Sequence, residues 1–191
     1  MTNHLSVALI VASTRPHRHG PAIAAWVQES FGHRTDFDLS IVDLADARLP
    51  LLDEPLPAKD RAYTHEHTKA WSETIDAADG FIILTPEHNR TIPASLKNAL
   101  DCLYWEWEHK PVGFVSYSGG PSGGIRAVEM TKQVATALSM LPLNQMVNLP
   151  RIDSLIIDGV LDPPDGAARA LADLAEMMSR YLVASQMLRA S

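Results

Sequence analysis

Five apolar runs alternate with stretches of helical periodicity along the chain, and this alternation constrains the fold more than any other feature. Continuous apolar runs are typical of parallel strands that are covered by helices on both faces. We predict strands at 5–12, 39–44, 80–84, 112–117 and 143–149. We predict helices from Pro21, over 61–77, after Pro93, over 122–141 and from Asp165. Five strands joined by crossover helices fit an α/β fold with a five-stranded parallel sheet of order 2-1-3-4-5.

The predicted strand order places any ligand at one edge of the sheet. In open α/β sheets, ligands bind beyond the carboxyl ends of the strands where the winding reverses, here between strands one and three. The loops after strands one, three and four meet at that edge. They are also the most polar segments between elements, and we call them the first loop (12–21), the second loop (85–93) and the third loop (116–124).

The first loop combines hydroxyls, arginines and a helix start. Such a strand-to-helix turn binds anions, because the unpaired backbone N–H groups and the helix dipole point at the ligand. Each hydrogen bond to a charged group contributes about 1.5–3 kcal/mol, so Ser13, Arg15 and Arg18 can hold a terminal phosphate without a metal. A helix cap with solvated arginines is the alternative. No Walker motif and no Gly-x-Gly-x-x-Gly motif occurs here, so neither a nucleotide triphosphatase nor a Rossmann dinucleotide site is indicated.

The other two loops favour close backbone approach to a ligand. The second loop is polar and is held by Pro86 and Pro93, so it presents fixed backbone groups to something flat and polar. The third loop has four glycines within 119–124, which permit close approach and positive φ. A merely flexible loop is the competing interpretation of the third loop. We expect Glu87 to anchor the second loop rather than to act as a general base.

The second loop resembles the flavin-contacting loop of the NAD(P)H-dependent FMN reductase family, whose members carry Pro-Glu-Tyr-Asn where this chain has Pro-Glu-His-Asn. The first loop is similar to a variant family pattern, Gly-Ser-Thr-Arg-Pro-x-Arg-x-Gly-Pro, with Ala12 in place of the first glycine. His88 in place of tyrosine also departs from the family. The resemblance spans 5 to about 150 and implies a single flavodoxin-like FMN-binding domain across residues 1–191.

The resemblance implies that the first loop holds the FMN phosphate, the second approaches the isoalloxazine ring, and the third holds its pyrimidine edge. The implied FMN-binding residues are Ser13, Thr14, Arg15, Arg18, His19, Gly20, Pro86, Glu87, His88, Asn89, Ile92, Ser116, Tyr117, Ser118, Gly119 and Gly120.

The implied activity is that of an oxidoreductase in which bound FMN carries the chemistry and no protein residue is catalytic. NADPH or NADH would pass hydride to FMN, and a flavin, quinone, azo compound or metal oxyanion would then accept it in a ping-pong mechanism. The resemblance and the basic first loop favour NADPH. An electron-carrier flavodoxin and a flavin-free interaction protein on the same fold are the alternatives.

The resemblance also implies a homodimer or homotetramer that pairs through the aromatic segment Leu103, Tyr104, Trp105 and Trp107. Plain core packing of the two tryptophans is the competing interpretation. We predict no metal site, because His65 and His67 are two residues apart in a predicted helix and would lie on different faces.

Composition limits the partners and the compartment. The net charge of −7, with no basic block, argues against nucleic-acid binding. The single cysteine, Cys102, suits a reducing compartment and lies at an apolar helical position, which favours a packed thiol. The apolar run at 5–12 is too short to span a membrane, so we expect a cytoplasmic protein without a membrane partner.

Overall fold

The computed structural model describes residues 5–189, and its main sheet is parallel with the order β2-β1-β3-β4-β5. This confirms the predicted strand order. The strands of the sheet are β1 (Leu5–Val11), β2 (Phe37–Asp43), β3 (Gly80–Pro86), β4 (Pro111–Ser118) and β5 (Leu141–Pro150). The helices are α1 (Gly20–Phe31), α2 (Leu44–Ala47), α3 (Glu66–Asp76), α4 (Ala94–Asp101), α5 (Ile125–Ala137) and α6 (Ala167–Arg189).

Helices cover the sheet on both faces, and β3 shows why its sequence is apolar throughout. Every residue of β3 is buried. Ile82 and Leu84 pack into a core that includes residues of α1 and α6. Phe81 and Ile83 pack into a second core with residues of α3, α4 and α5. Successive side chains of a strand point to opposite faces of the sheet. A central strand that is covered on both faces therefore needs apolar residues at odd and even positions alike.

Two elements begin later or end earlier than predicted, each for a local reason. α3 begins at Glu66 rather than at residue 61, since the Glu54 carboxylate accepts hydrogen bonds from the backbone N–H groups of Thr64 and His65 and holds them outside the helix. α5 ends at Ala137, and Ser139 then adopts a left-handed conformation with φ of 56°. That residue turns the chain into β5.

A small antiparallel hairpin, β6 (Ile156–Ile157) and β7 (Val160–Leu161), was not predicted. Asp158 and Gly159 form its turn, both with positive φ. Asp-Gly between apolar residues is a strong hairpin signal. Each strand here has only two residues, which is too short for an alternating strand pattern to be recognised in the sequence.

The aromatic segment after α4 lies mostly inside the protein, so the prediction that it forms a surface was wrong for two of its members. Trp107 is fully buried beside Phe81 and Trp71, and Leu103 is buried with it. A 3₁₀ turn at Trp105–Trp107 directs the second tryptophan under the sheet while Trp105 stays exposed. Core packing therefore explains Trp107 and Leu103.

A buried carboxylate joins this turn to α3. Glu106 has no exposed surface and accepts hydrogen bonds from the Ser72 hydroxyl (2.6 Å), the Tyr63 hydroxyl (3.1 Å) and Arg61 Nε (3.2 Å). Burial acts to raise the pKa of Glu106, but the hydrogen bonds from Ser72 and Tyr63 and the charge of Arg61 outweigh it, so the pKa lies below its ordinary value. Glu106 is therefore charged and fully bonded.

Cys102 is buried, and burial raises the pKa of its thiol to about 11, consistent with a packing role. The prediction that His65 and His67 lie on different faces was wrong. Their rings stack 5.1 Å apart, because His65 precedes α3 in an extended conformation.

Within 5–189 no group of three or more potential metal ligands occurs. No helix of that range is long and apolar enough to cross a bilayer.

Candidate functional site

A cleft of about 430 Å³ lies at the carboxyl ends of β1, β3 and β4, and the three predicted loops line it. We call it the main cleft. Its size is that of a small-ligand site. The lining residues are Ser13, Arg15, Pro16, His17, Arg18, His19, Pro86, Glu87, His88, Tyr117, Ser118, Gly119, Ile152 and Asp153.

The first loop supplies two arginines to the main cleft, and they differ in their surroundings. Arg18 Nη2 donates to Asp43, whose carboxylate also caps α2 through Ala45 N–H. Arg18 Nε is buried and has no hydrogen-bond partner among the described residues. Arg15 is exposed, and within the described chain its guanidinium contacts no carboxylate. Two guanidinium groups therefore line the main cleft, one of them exposed and unpaired among the described residues, and such an arrangement suits an anionic ligand.

The second loop is a tight turn anchored at its base. His88 and Thr91 form a reciprocal pair of backbone hydrogen bonds, and Asn89 and Arg90 between them have φ of 50° and 69°. At the base, the Glu87 carboxylate accepts hydrogen bonds from the Ser122 hydroxyl, the Arg126 backbone N–H and Arg126 Nη1. Glu87 thus ties the second loop to the third, which agrees with the anchoring role expected of it.

The third loop is held by buried polar contacts behind the main cleft. The Ser116 hydroxyl donates to the Gly123 carbonyl (2.7 Å) and accepts from Asn148 Nδ2 (2.7 Å). Gly123 and Gly124 have positive φ, and a Cβ on Gly124 would lie 2.8 Å from Ser116 Cβ. The backbone of this loop therefore approaches β4 as only glycine permits.

Two titratable groups of the main cleft, His88 and Tyr117, have pKa values shifted so that the uncharged form is favoured. Burial lowers the pKa of His88, and the positive charge of the Arg15 guanidinium lowers it further, so the imidazole is neutral. Burial raises the pKa of Tyr117 to about 12, although a hydrogen bond from Ser13 and the two arginines act to lower it. The described residues of the cleft include no nucleophile paired with a base.

Some predicted site residues lie elsewhere. Thr14 lines a separate cleft of about 290 Å³ with Arg48, and Asn89 and Gly120 line an adjoining groove. Three others line none of these spaces. Gly20 lets α1 approach β1, since a Cβ there would lie 2.7 Å from Val11 Cγ1. Ser116 is buried behind the third loop, and Ile92 is half-buried against the core.

Four lining residues were not predicted: Pro16, His17, Ile152 and Asp153. The Asp153 carboxylate accepts a hydrogen bond from His19 Nε2–H at 2.9 Å and so closes one side of the main cleft. Ile152 and Asp153 follow β5. The carboxyl end of β5 lies beside that of β4 at the same edge of the sheet. The predicted strand order therefore already indicated that residues after β5 could line the site.

Comparison with known proteins agrees with this geometry. The family model for NADPH-dependent FMN reductases matches residues 5–153. An NAD(P)H-dependent FMN reductase of Schizosaccharomyces pombe is 43% identical over 179 residues, covering 92% of this chain and 88% of the relative. A quinone reductase of Pseudomonas putida is 34% identical over 151 residues, covering 76% of this chain and 77% of the relative.

Among solved structures, the flavoenzyme NAD(P)H:(acceptor) oxidoreductase FerB of Paracoccus denitrificans superposes with a TM-score of 0.73, covering 95% of this chain and 98% of its own. The two sequences are 20% identical. The similarity to FerB establishes a common flavodoxin-like fold.

Proposed function

Because this chain belongs to the NADPH-dependent FMN reductase family, an oxidoreductase family that uses FMN and NAD(P)H, we propose that it binds FMN in the main cleft and reduces a small planar acceptor. The observation that carries the proposal is the pair of arginines in the first loop. Both arginines line the main cleft, and the Arg15 guanidinium is exposed and unpaired among the described residues. Both fit the terminal phosphate of a mononucleotide.

We propose that Ser13, Arg15 and Arg18 bind this phosphate, with Asp43 holding Arg18 in position. The predicted FMN contacts of Pro86, Glu87, His88, Ser118 and Gly119 would then surround the ring, since all of them line the main cleft. Neutral His88 can stack on a flat ring without placing a positive charge beside it. The other predicted contacts would support the three loops or lie at the edge of the bound FMN. These residues are Thr14, Gly20, Asn89, Ile92, Ser116 and Gly120.

When bound, FMN supplies hydride transfer between NAD(P)H and the acceptor. We expect bound FMN to leave one side of the main cleft open, so that donor and acceptor would use the same place in turn. This predicts ping-pong kinetics. Backbone N–H groups of the second and third loops would stabilise negative charge on the ring. Relatives named quinone reductase and azoreductase support a quinone or azo acceptor, and free flavin and metal oxyanions are further candidates.

Replacing Arg15 with alanine should weaken FMN binding. One lost charge-assisted hydrogen bond corresponds to about 1.5–3 kcal/mol, hence a rise in the Kd for FMN of about tenfold or more. Quenching of FMN fluorescence on titration with the FMN-free protein measures it. Arg48→Ala is the matched control, because Arg48 is also exposed but lies outside the main cleft. Equal Kd values for Arg15→Ala and wild type would show that the phosphate binds elsewhere.

The same variant has a second readout that does not depend on FMN. The Arg15 guanidinium lowers the pKa of His88 across the cleft, so Arg15→Ala should raise that pKa in the FMN-free protein. NMR titration of the His88 ring protons measures the change. Arg48→Ala should leave the pKa of His88 unchanged. A pKa shift of equal size in that control would contradict a specific effect of Arg15 on His88.

We further propose that the whole chain, 1–191, forms one FMN-binding domain that acts in the cytoplasm, where its single buried thiol would stay reduced. We also propose a homo-oligomer, a dimer or a tetramer. Leu51, Leu52 and Leu56 are exposed within one short segment, and exposed Trp105 donates from Nε1 to the Lys59 carbonyl at the end of that segment. Apolar side chains grouped in this way favour a subunit contact.

A further inference from the structure

A second groove of about 520 Å³ adjoins the main cleft and shares Glu87, Ser118 and Gly119 with it. Its other walls come from the tip of the second loop, at Asn89 and Arg90, and from the start of α5, at Arg126. The main cleft has the volume of one small ligand. If a mononucleotide fills it, a dinucleotide donor that stacks on the flavin must extend beyond it.

The adjoining groove carries a positive charge, on Arg90, that no residue within 5–189 neutralises. Arg126 Nη1 lies 2.8 Å from Glu87 Oε1, so these two charges compensate each other. Arg90 is exposed, and its guanidinium has no hydrogen bond or ion pair with any residue of the described part of the chain. In a chain of net charge −7, an unpaired arginine in a groove continuous with the site selects for an anionic ligand.

We propose that the adjoining groove binds the phosphate-bearing adenosine half of the NAD(P)H donor, with Arg90 contacting a phosphate. This inference rests on the proposed function, since the nicotinamide half must reach a flavin in the main cleft. Arg90 is a donor-binding residue in this account and takes no part in hydride transfer. A planar guanidinium suits either the diphosphate common to both donors or the 2′-phosphate that only NADPH carries.

The separate cleft beside Thr14 offers the competing route, and it provides a matched control. It shares no lining residue with the main cleft, but it contains Arg48, which is likewise exposed and unpaired within 5–189. Arg48 and Arg90 both have positive φ, of 48° and 69°. Alanine at either position therefore has to adopt a left-handed backbone conformation, and either substitution removes one positive charge.

Isothermal titration calorimetry of the FMN-loaded protein with NADP⁺ and with NAD⁺ tests the inference. Arg90→Ala should raise the Kd for NADP⁺ about fivefold to tenfold, as expected for the loss of one partly exposed charge-assisted contact, and leave the Kd for FMN unchanged. A selective loss for NADP⁺ identifies the 2′-phosphate as the contact. Equal losses for NADP⁺ and NAD⁺ identify the diphosphate.

Three results would overturn the inference. Wild-type affinity of Arg90→Ala for both nucleotides would exclude Arg90 from donor binding. An equal loss in Arg48→Ala would show a general effect of charge, and a parallel loss of FMN affinity would assign Arg90 to the flavin instead. A wild-type protein that takes up no FMN refutes the proposed function itself, and is thereby distinguished from a failure at Arg90 alone.

Discussion

Gly124→Ala should destabilise the protein by about 2–5 kcal/mol, the sum of a backbone cost and a packing cost. Gly124 has φ of 87°, and a left-handed conformation costs a residue with a Cβ about 1–2 kcal/mol. The new Cβ would also lie 2.8 Å from Ser116 Cβ and 2.9 Å from the Tyr117 backbone nitrogen. Overpacking of this kind adds about 1–3 kcal/mol, and backbone atoms cannot rotate away as a side-chain end can. Urea denaturation followed by circular dichroism measures the free energy of unfolding.

Gly159→Ala separates the two causes. Gly159 has φ of 82°, close to that of Gly124, but a Cβ there meets no atom within 4 Å. This variant should lose only the backbone cost. Gly124→Ala should in addition weaken FMN binding, since it displaces the backbone beside Tyr117 in the main cleft. Equal destabilisation of the two variants would refute the close approach of the third loop to β4.

Glu106→Ala should lower the free energy of unfolding by about 3–5 kcal/mol, the range for breaking a buried ion pair by removing one partner. The substitution leaves the Ser72 and Tyr63 hydroxyls without their common acceptor and Arg61 without its buried partner. Arg61 is half-exposed and can be hydrated, which favours the lower end of the range. The same denaturation experiment measures the effect.

Glu176→Ala is the control for this prediction, because Glu176 forms an exposed pair with Arg180 whose loss should cost less than about 1 kcal/mol.

The dependence of stability on pH provides a second check on Glu106. A carboxyl whose pKa is lowered in the folded state stabilises the protein at pH values above its unfolded pKa, near 4.5. It loses this stabilising contribution as the pH falls through the folded pKa. The advantage of wild type over Glu106→Gln should therefore shrink below about pH 4.5. An advantage that persists in acid would contradict a charged Glu106.

The sheet and the place of the site were predictable because they depend on patterns repeated along the chain. An apolar β3 between two helical segments indicates a central parallel strand, and the strand order then fixes the edge where the loops meet. The first and second loops were identified by their polar residues, which have no role inside a sheet. The family resemblance supplied the ligand, which the pattern alone does not determine.

What was missed depends on contacts between residues far apart in sequence. Nothing near Arg18 indicates that Asp43, 25 residues later, fixes one of its nitrogens. The pairing of Glu106 with Arg61 spans 45 residues and needs the 3₁₀ turn to bring the carboxylate inside. Trp107 was assigned to a surface because the sequence does not show how sharply the chain turns after α4. Such contacts are set by tertiary packing, on which local periodicity carries no information.

Anaerobic titration of the FMN-loaded protein with NADPH, and separately with NADH, tests the central claim most directly. We expect the absorbance of oxidised flavin to disappear as donor is added, reaching its endpoint at one donor per bound FMN. Addition of a quinone should then restore the oxidised spectrum without any partner protein. A preparation that takes up no FMN, or a bound flavin that stays oxidised with both donors, would contradict the account.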